Sequence, residues 1–461
     1  MEMPVTKQVK ENTKISLTEK IGYGLGDVGY GFMFDLGQVY LLKFYTDALG
    51  IPAAAAGLVF LITKVWDAFA DISVGTWVDS RKNIGSKGKF RPFMLYGAIP
   101  LALATIVSFA TPNFTVTGKL IWAYVSYAIF GTLYSISNVP YGSMIPAMTQ
   151  DSNERAQLAS FRQAGSNAAL LITTVGVMPI VLCFSDKNTG YLVAVSIFAI
   201  LGVIIQYISY SNIKERYVVE KPKEEKTSIG AGLKAIFKNG PLLVLCLVNL
   251  FTFSAFNVKL AVQVYFCQYV LGNVSIVPYM GFFSMGCVFI GCAFVPLMVK
   301  RVGKKATYII GCGIWAVGDI LAYLFASNAV IFIVFACMAY FGSSFVNSLN
   351  WAFVSDAVEY GEWKTGKRSE GVTYSFFTFF RKVSGATAGF IPGIVLAWVG
   401  YVPNAEQSVG ALAGIKGLMF LYPSVLAIAT IVSMGALYKL TDAKCNEIIN
   451  ELNERKNIAN N

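Results

Sequence analysis

The stretch Thr63-Lys64-Val65-Trp66-Asp67-Ala68-Phe69-Ala70-Asp71 places two carboxyls and an amine in an apolar setting. Asp67 and Asp71 are four apart and Lys64 is three before Asp67, so a helix presents all three on one face. At membrane depth an ionisable side chain costs several kcal/mol unless it is paired or meets water. Two acids and a base on one stripe therefore read as a cation site on an aqueous pathway. The bland alternative is a buried Lys–Asp pair joining helices, but such a pair needs no second carboxyl. The chain has no histidine, so proton chemistry here must run on carboxylates.

Other polar groups interrupt apolar runs in the same way. Asp27, Gly31 and Asp35 are spaced by four along one side of the first run, with Gly24, Gly26, Gly29 and Gly37 around them. Glycines so dense allow either close helix packing or an unwound turn beside a ligand. The fourth run contains Tyr134-Ser-Ile-Ser-Asn138-Val-Pro140-Tyr141, where a mid-run proline frees carbonyls that only protein or a cavity can satisfy. The fifth opens with Arg162, Gln163, Ser166 and Asn167, and the eleventh holds Tyr374, Thr378, Arg381 and Lys382. Lys259 and Asp319 are lone internal charges for which a structural role suffices. Trp66, Tyr134 and Tyr374 lie beside polar groups and could stack on the apolar face of a sugar ring. No nucleophile–base pair, phosphate loop or metal-spaced cysteine cluster stands out, so the residues do not read as an enzyme.

The elements that must position these groups are membrane spans. Hydrophobic residues make up 55% of the 461 and charged residues 14%, against about a quarter charged in soluble domains. Apolar runs at 23–45, 54–78, 92–111, 120–148, 162–184, 190–211, 241–270, 276–299, 306–326, 329–355, 371–399 and 412–438 are each long enough to cross a bilayer. The expected fold is thus all-α, a polytopic protein of twelve transmembrane helices. Lys and Arg gather in alternate connections: Arg81, Lys82, Lys87, Lys89 and Arg91; Lys214 to Lys238; Lys300 to Lys305; Lys364 to Arg368. Positive-inside topology then puts both termini in the cytoplasm of a cell (plasma) membrane protein and accounts for the net charge of +11 without nucleic acid. The charged stretch 212–240 divides the chain into six-span halves, 1–211 and 241–440, followed by a short tail, 441–461. That layout suits two bundles with a site between them at the midplane. The expected partners are the bilayer and a small substrate, with the protein acting as a monomer and using no cofactor.

The stretches Lys20-Ile-Gly-Tyr-Gly-Leu-Gly-Asp27, Tyr45-Thr-Asp47, Trp66-Asp-Ala-Phe-Ala-Asp71, Gly88-Lys-Phe-Arg-Pro92, Asn138-Val-Pro-Tyr141 and Asp356-Ala-Val-Glu-Tyr-Gly-Glu-Trp-Lys364 resemble the glycoside–pentoside–hexuronide:cation symporters of the major facilitator superfamily. Within that family the chain looks closest to xyloside (isoprimeverose) and glucuronide carriers. The resemblance implies cation-coupled symport of a glycoside such as a xyloside, galactoside or glucuronide by alternating access. It places the cation site at Asp67 and Asp71 with the Ser135 hydroxyl, and it matches Arg162, Thr378 and Lys382 to sugar-site or coupling positions. Lys64, Trp66, Tyr134 and Tyr374 would support them. Melibiose carriers of the family have sugar-binding acids where this chain has Gly31 and Asn138; Asp27 or Asp35, one turn either side of Gly31, would substitute. Sodium-using carriers often have Asn where this chain has Ala70, which favours H+ over Na+ as the coupling ion. Sugar–sugar exchange, and a non-transporting sensor or channel, remain as alternatives.

Overall fold

The computed structural model describes residues 14–80, 88–149, 151–216, 237–326, 328–366 and 370–460. Arg81, Lys82, Lys87, Lys221, Lys223, Lys226, Lys234, Lys367 and Arg368, which weigh in the topology argument, lie outside these residues. Among the described residues twelve long helices follow one another: α1 (Leu17–Lys43), α2 (Ala53–Ser80), α3 (Arg91–Ser108), α4 (Val116–Gly142), α5 (Ser152–Leu182), α6 (Lys187–Asn212), α7 (Gly240–Tyr265), α8 (Ile276–Val302), α9 (Lys304–Phe325), α10 (Ala329–Thr365), α11 (Glu370–Trp398) and α12 (Val409–Ala436). Single π-helical turns extend α1 to Ala48 and α7 to Val270, and another lies within α12. Ten of the twelve are long and apolar enough to span a membrane. The other two, α1 and α11, are diluted by glycines, hydroxyls and ionisable groups, so they need a wet or paired face rather than lipid all round.

The helices overrun the apolar runs, because hydropathy marks what lies in lipid whereas caps decide where a helix ends. Asp151 accepts from the Glu154 amide at 2.9 Å and starts α5 a good two turns before its apolar part. The helix α10 runs on through polar residues to Gly366, whose φ of 70° supplies the left-handed turn that stops it. At the head of α3, the Glu215 carboxylate accepts from the amides of Lys89, Phe90 and Arg91 at 2.7–2.8 Å, an anion where the helix dipole favours one. A last helix, α13 (Asp442–Asn460), lies against α10, with Trp363 Nε1 donating to Glu451 at 2.6 Å.

Packing repeats between the first six helices and the last six. The helix α1 packs on α5 and α6, α3 on α4 and α6, and α2 on α4; α7 packs on α11 and α12, α9 on α10 and α12, and α8 on α10. Across the two sets, α2 meets α11, α5 meets α8, and α1 meets α7. The α2–α11 contact is close because glycines face each other: a Cβ on Gly393 would fall 2.6 Å from the Ala53 carbonyl, and one on Gly389 would enter the Phe60 ring. These contacts, with Tyr40 donating to the Thr174 carbonyl at 3.1 Å, lie toward the face opposite the termini. A network at the end of α1 seals that face. Asp47 accepts from Lys43 (2.7 Å), Tyr269 (2.8 Å) and Tyr401 (2.5 Å), and its carbonyl accepts from the Asn404 amide (2.7 Å).

Candidate functional site

A cavity of about 530 Å³ lies between the two helix sets, and a second of about 220 Å³ adjoins it, sharing Gln38, Tyr134, Asn257, Trp351 and Arg381 in its wall. Gln163, Ser166 and Ser348, which line the smaller cavity, are exposed, so the space is open toward the face of the termini and shut at the other. Glycosyl-sized molecules fit such a volume.

Asp67 and Asp71 both reach the larger cavity from α2, as their spacing requires. Lys64 donates to Asp67 Oδ2 at 3.1 Å, and Lys382 of α11 pairs with Asp71 across the interface. The other oxygen of Asp67, Oδ1, is buried and accepts nothing. It lies against Gly131 of α4, where an added Cβ would stand 1.8 Å from it. The glycine is therefore what lets the carboxylate enter the wall. Ser135, Asn138, Arg162, Thr378 and Tyr134 line the same cavity.

Asp27 and Asp35 line the smaller cavity. Asp27 is fully engaged: Arg162 of α5 grips it through Nε (2.7 Å) and Nη2 (3.1 Å), and the Tyr141 hydroxyl donates at 3.0 Å. The guanidinium of Arg162 also stacks 4.8 Å from the Tyr141 ring. This bidentate pair joins α1 to α5 and leaves fewer free donors than Arg162 alone would offer. Asp35 is the opposite case, buried with Oδ2 unpartnered. Gly31 stands between them without a side chain because a Cβ there would meet Ala169 of α5 at 2.3 Å.

Two of the expected aromatics stand away from both cavities. Trp66 is 53% exposed on the outside of α2 and donates to Thr132 at 2.9 Å, lining neither cavity. One residue before Asp67, it lies some 100° around the helix from the carboxylate face. Tyr374 also lines neither cavity; it stacks on Trp351 (6.0 Å between rings) and shares a hydrogen bond with Ser355. The aromatic wall is made of Phe34, Phe60, Tyr127, Tyr134, Phe253 and Trp351, so Tyr134 does line the cavity. Sequence reading gave no role to Trp351, Gln38, Asn257 or Arg381; the signal available for Arg381 was its place beside Lys382 in an apolar run. Lys259 and Asp319 pair in the C-terminal set, with Trp315 Nε1 donating to Asp319 at 2.9 Å, outside both cavities.

Residues 22–442 match the model of the family described as MFS/sugar transport protein. The chain is 51% identical to a candidate sulfoquinovose importer of Escherichia coli (strain K12), over 96% of this chain and 95% of that one. It is 48% identical to a candidate 2,3-dihydroxypropane-1-sulfonate exporter of the same strain, over 99% of each. A glucuronide carrier protein homolog of that strain is 33% identical, over 97% of this chain and 98% of that one. Among solved structures, a nucleoside transporter superposes with a TM-score of 0.64, covering 90% of this chain and 99% of its own, at 15% identity; that likeness is one of fold.

Proposed function

The chain belongs to the MFS/sugar transport protein family, and from that membership we propose that it carries a small sugar-like substrate through the membrane together with a cation, by alternating access. The substrate class that suits it is that of its relatives' names, a sugar or short polyol bearing an acidic group, a sulfosugar above all. The observation that carries this reading is the cavity between the helix sets, open to one face, shut at the other, and crossed by the Lys382–Asp71 pair. The first and last six helices, divided at 212–240, would rock as two bundles about it. Basic connections favour the cytoplasm for the face of the termini, which makes this state inward-facing. The bilayer is the other partner, and one chain holds both bundles, so a monomer suffices.

Asp67 and Asp71 are the proposed coupling site, with Ser135 nearby. A proton fits what surrounds them better than sodium does. The ammonium groups of Lys64 and Lys382 occupy the positions from which a metal ion would contact the carboxylates. The orphaned Oδ1 of Asp67 can take a proton without losing a donor. Sodium would need several oxygens, and Ala70 offers none from its side chain. Gly131 bears directly on this: Gly131→Ala should displace the Asp67 carboxylate and abolish uphill accumulation while leaving the carboxyl in the protein. Uptake at matched expression checks it, and wild-type accumulation in that variant would remove Asp67 from its assigned place.

Transport itself is tested by counterflow in proteoliposomes. Vesicles preloaded with sulfoquinovose, glucuronate or a neutral glycoside should transiently concentrate labelled external substrate of the same kind. No overshoot with any of them, in vesicles holding folded protein, would overturn the carrier reading in favour of a sensor or channel.

A further inference from the structure

Eight charged side chains line the two cavities among the described residues, four cations and four carboxyls. Six of them are taken up in the pairs Lys64–Asp67, Lys382–Asp71 and Arg162–Asp27. The remaining two are Arg381 and Asp35, which both line the smaller cavity and form no ion pair with each other. Among the described residues Arg381 has neither an ion pair nor a hydrogen bond. Its guanidinium instead packs on aromatic rings, 4.5 Å from the centre of Phe253 and 5.6 Å from that of Trp351. Rings on its face hold the group in place and leave its edge N–H donors for a ligand. A second donor stands in the same wall. Asn257 is fully buried, its oxygen accepts from Gln38, and its Nδ2 has no partner.

We propose that Arg381 is the anchor for an anionic group on the substrate, a sulfonate or carboxylate, with the Asn257 amide as a neighbouring donor. The inference rests on the reading of this cavity as the site of an acidic sugar and adds to it the residue that selects the charge. Planar, forked guanidinium donors match two oxygens of an oxyanion at once. The three ion pairs cancel, which leaves Arg381 as the cavity's cation without a carboxylate partner among the described residues, and an anion on the substrate would supply that counter-charge.

The test uses three sugars that differ at C6: glucose, glucuronate and sulfoquinovose. Binding to the purified full-length protein is measured by titration calorimetry for wild type, Arg381→Gln and Arg381→Lys. Wild type should bind the two anions at least roughly tenfold tighter than glucose. Arg381→Gln should lose about a hundredfold in affinity for the anions and change by less than about threefold for glucose; Arg381→Lys, which keeps the charge but not the fork, should fall between. The proposal is overturned if wild type does not prefer the anions, if Arg381→Gln binds them as wild type does, or if Arg381→Gln loses glucose and anions equally, which marks a structural side chain. If wild type binds none of the three and shows no counterflow with them, the sugar-carrier reading itself fails. A wild type that transports glucose and anions alike sinks only the assignment of Arg381.

Discussion

Asp67→Asn and Asp71→Asn proteins should both come to the same internal as external substrate concentration, where wild type accumulates substrate severalfold or more. The carboxylates share one face of α2 and each holds a lysine, so removing either charge leaves Lys64 or Lys382 in the wall without its counter-ion. Removing one partner strands the other's charge in the cavity wall, which costs more than the pair itself is worth. The amide also cannot take up the proton on which coupling depends. Exchange of internal for external substrate should persist, because the proposed anion anchor lies elsewhere, on Arg381. Lys382→Ala tests the same pair from the other half. Sequence resemblance matches Lys382 to a sugar-site or coupling position, but its partner in the structure is Asp71. Its loss should therefore disturb the pH dependence of uptake more than substrate affinity. Accumulation at wild-type level by both Asn variants would dismiss the pair as the coupling site.

Asp47→Ala should slow net transport tenfold or more by a different route. In this structure the carboxylate gathers Lys43, Tyr269 and Tyr401 at the sealed face, and the ammonium of Lys43 also lies 4.5 Å and 4.7 Å from the Tyr265 and Tyr269 rings. Tyr269 lies on the extension of α7 and Tyr401 in the connection after α11, so the network ties the end of α1 to the C-terminal set. Removing Asp47 should leave a buried Lys43 without a counter-ion and destabilise the sealed face, shifting the population toward a state open there. The reporter is Asn257→Cys, on a background free of other cysteines, whose labelling by an impermeant reagent from outside should rise in the Asp47→Ala protein. Replacing Lys43 and Asp47 together by leucine should restore much of the closure, since no charge is then stranded. Unchanged labelling with unchanged transport would show that the network does not hold the gate.

What could be read from the sequence follows the range of the physics involved. Helical periodicity is local, so the shared face of Lys64, Asp67 and Asp71 and the number of spans needed no partner to be seen. Helix ends were less legible: α5 and α10 outrun their apolar runs, because capping by Asp151 and Gly366 is independent of hydropathy. Pairing across the interface was not legible at all. Nothing in the sequence of α11 indicates that Lys382 is matched by a carboxylate in α2 while its neighbour Arg381 is left unmatched; one helical position, about 100°, separates those environments. The same rotation turns Trp66 outward and removes it from the site where its proximity to Asp67 had suggested a sugar platform. Gly131 acquired its meaning only when α4 was seen against Asp67.

The central claim, that a proton and an anionic sugar move together through this cavity, is tested most directly by uptake into de-energised proteoliposomes under imposed gradients. An inward pH gradient of one unit should drive about tenfold accumulation of sulfoquinovose or glucuronate at one proton per molecule. The medium, weakly buffered, should turn alkaline in step with uptake. Because one proton and one monoanion carry no net charge, an imposed membrane potential should change the final ratio little. A sodium gradient at constant pH should drive nothing. Accumulation driven by sodium alone would overturn the proton assignment and leave the carboxylate pair standing. Equilibration without accumulation under either gradient, by protein that still shows counterflow, would contradict coupling altogether and leave an exchanger.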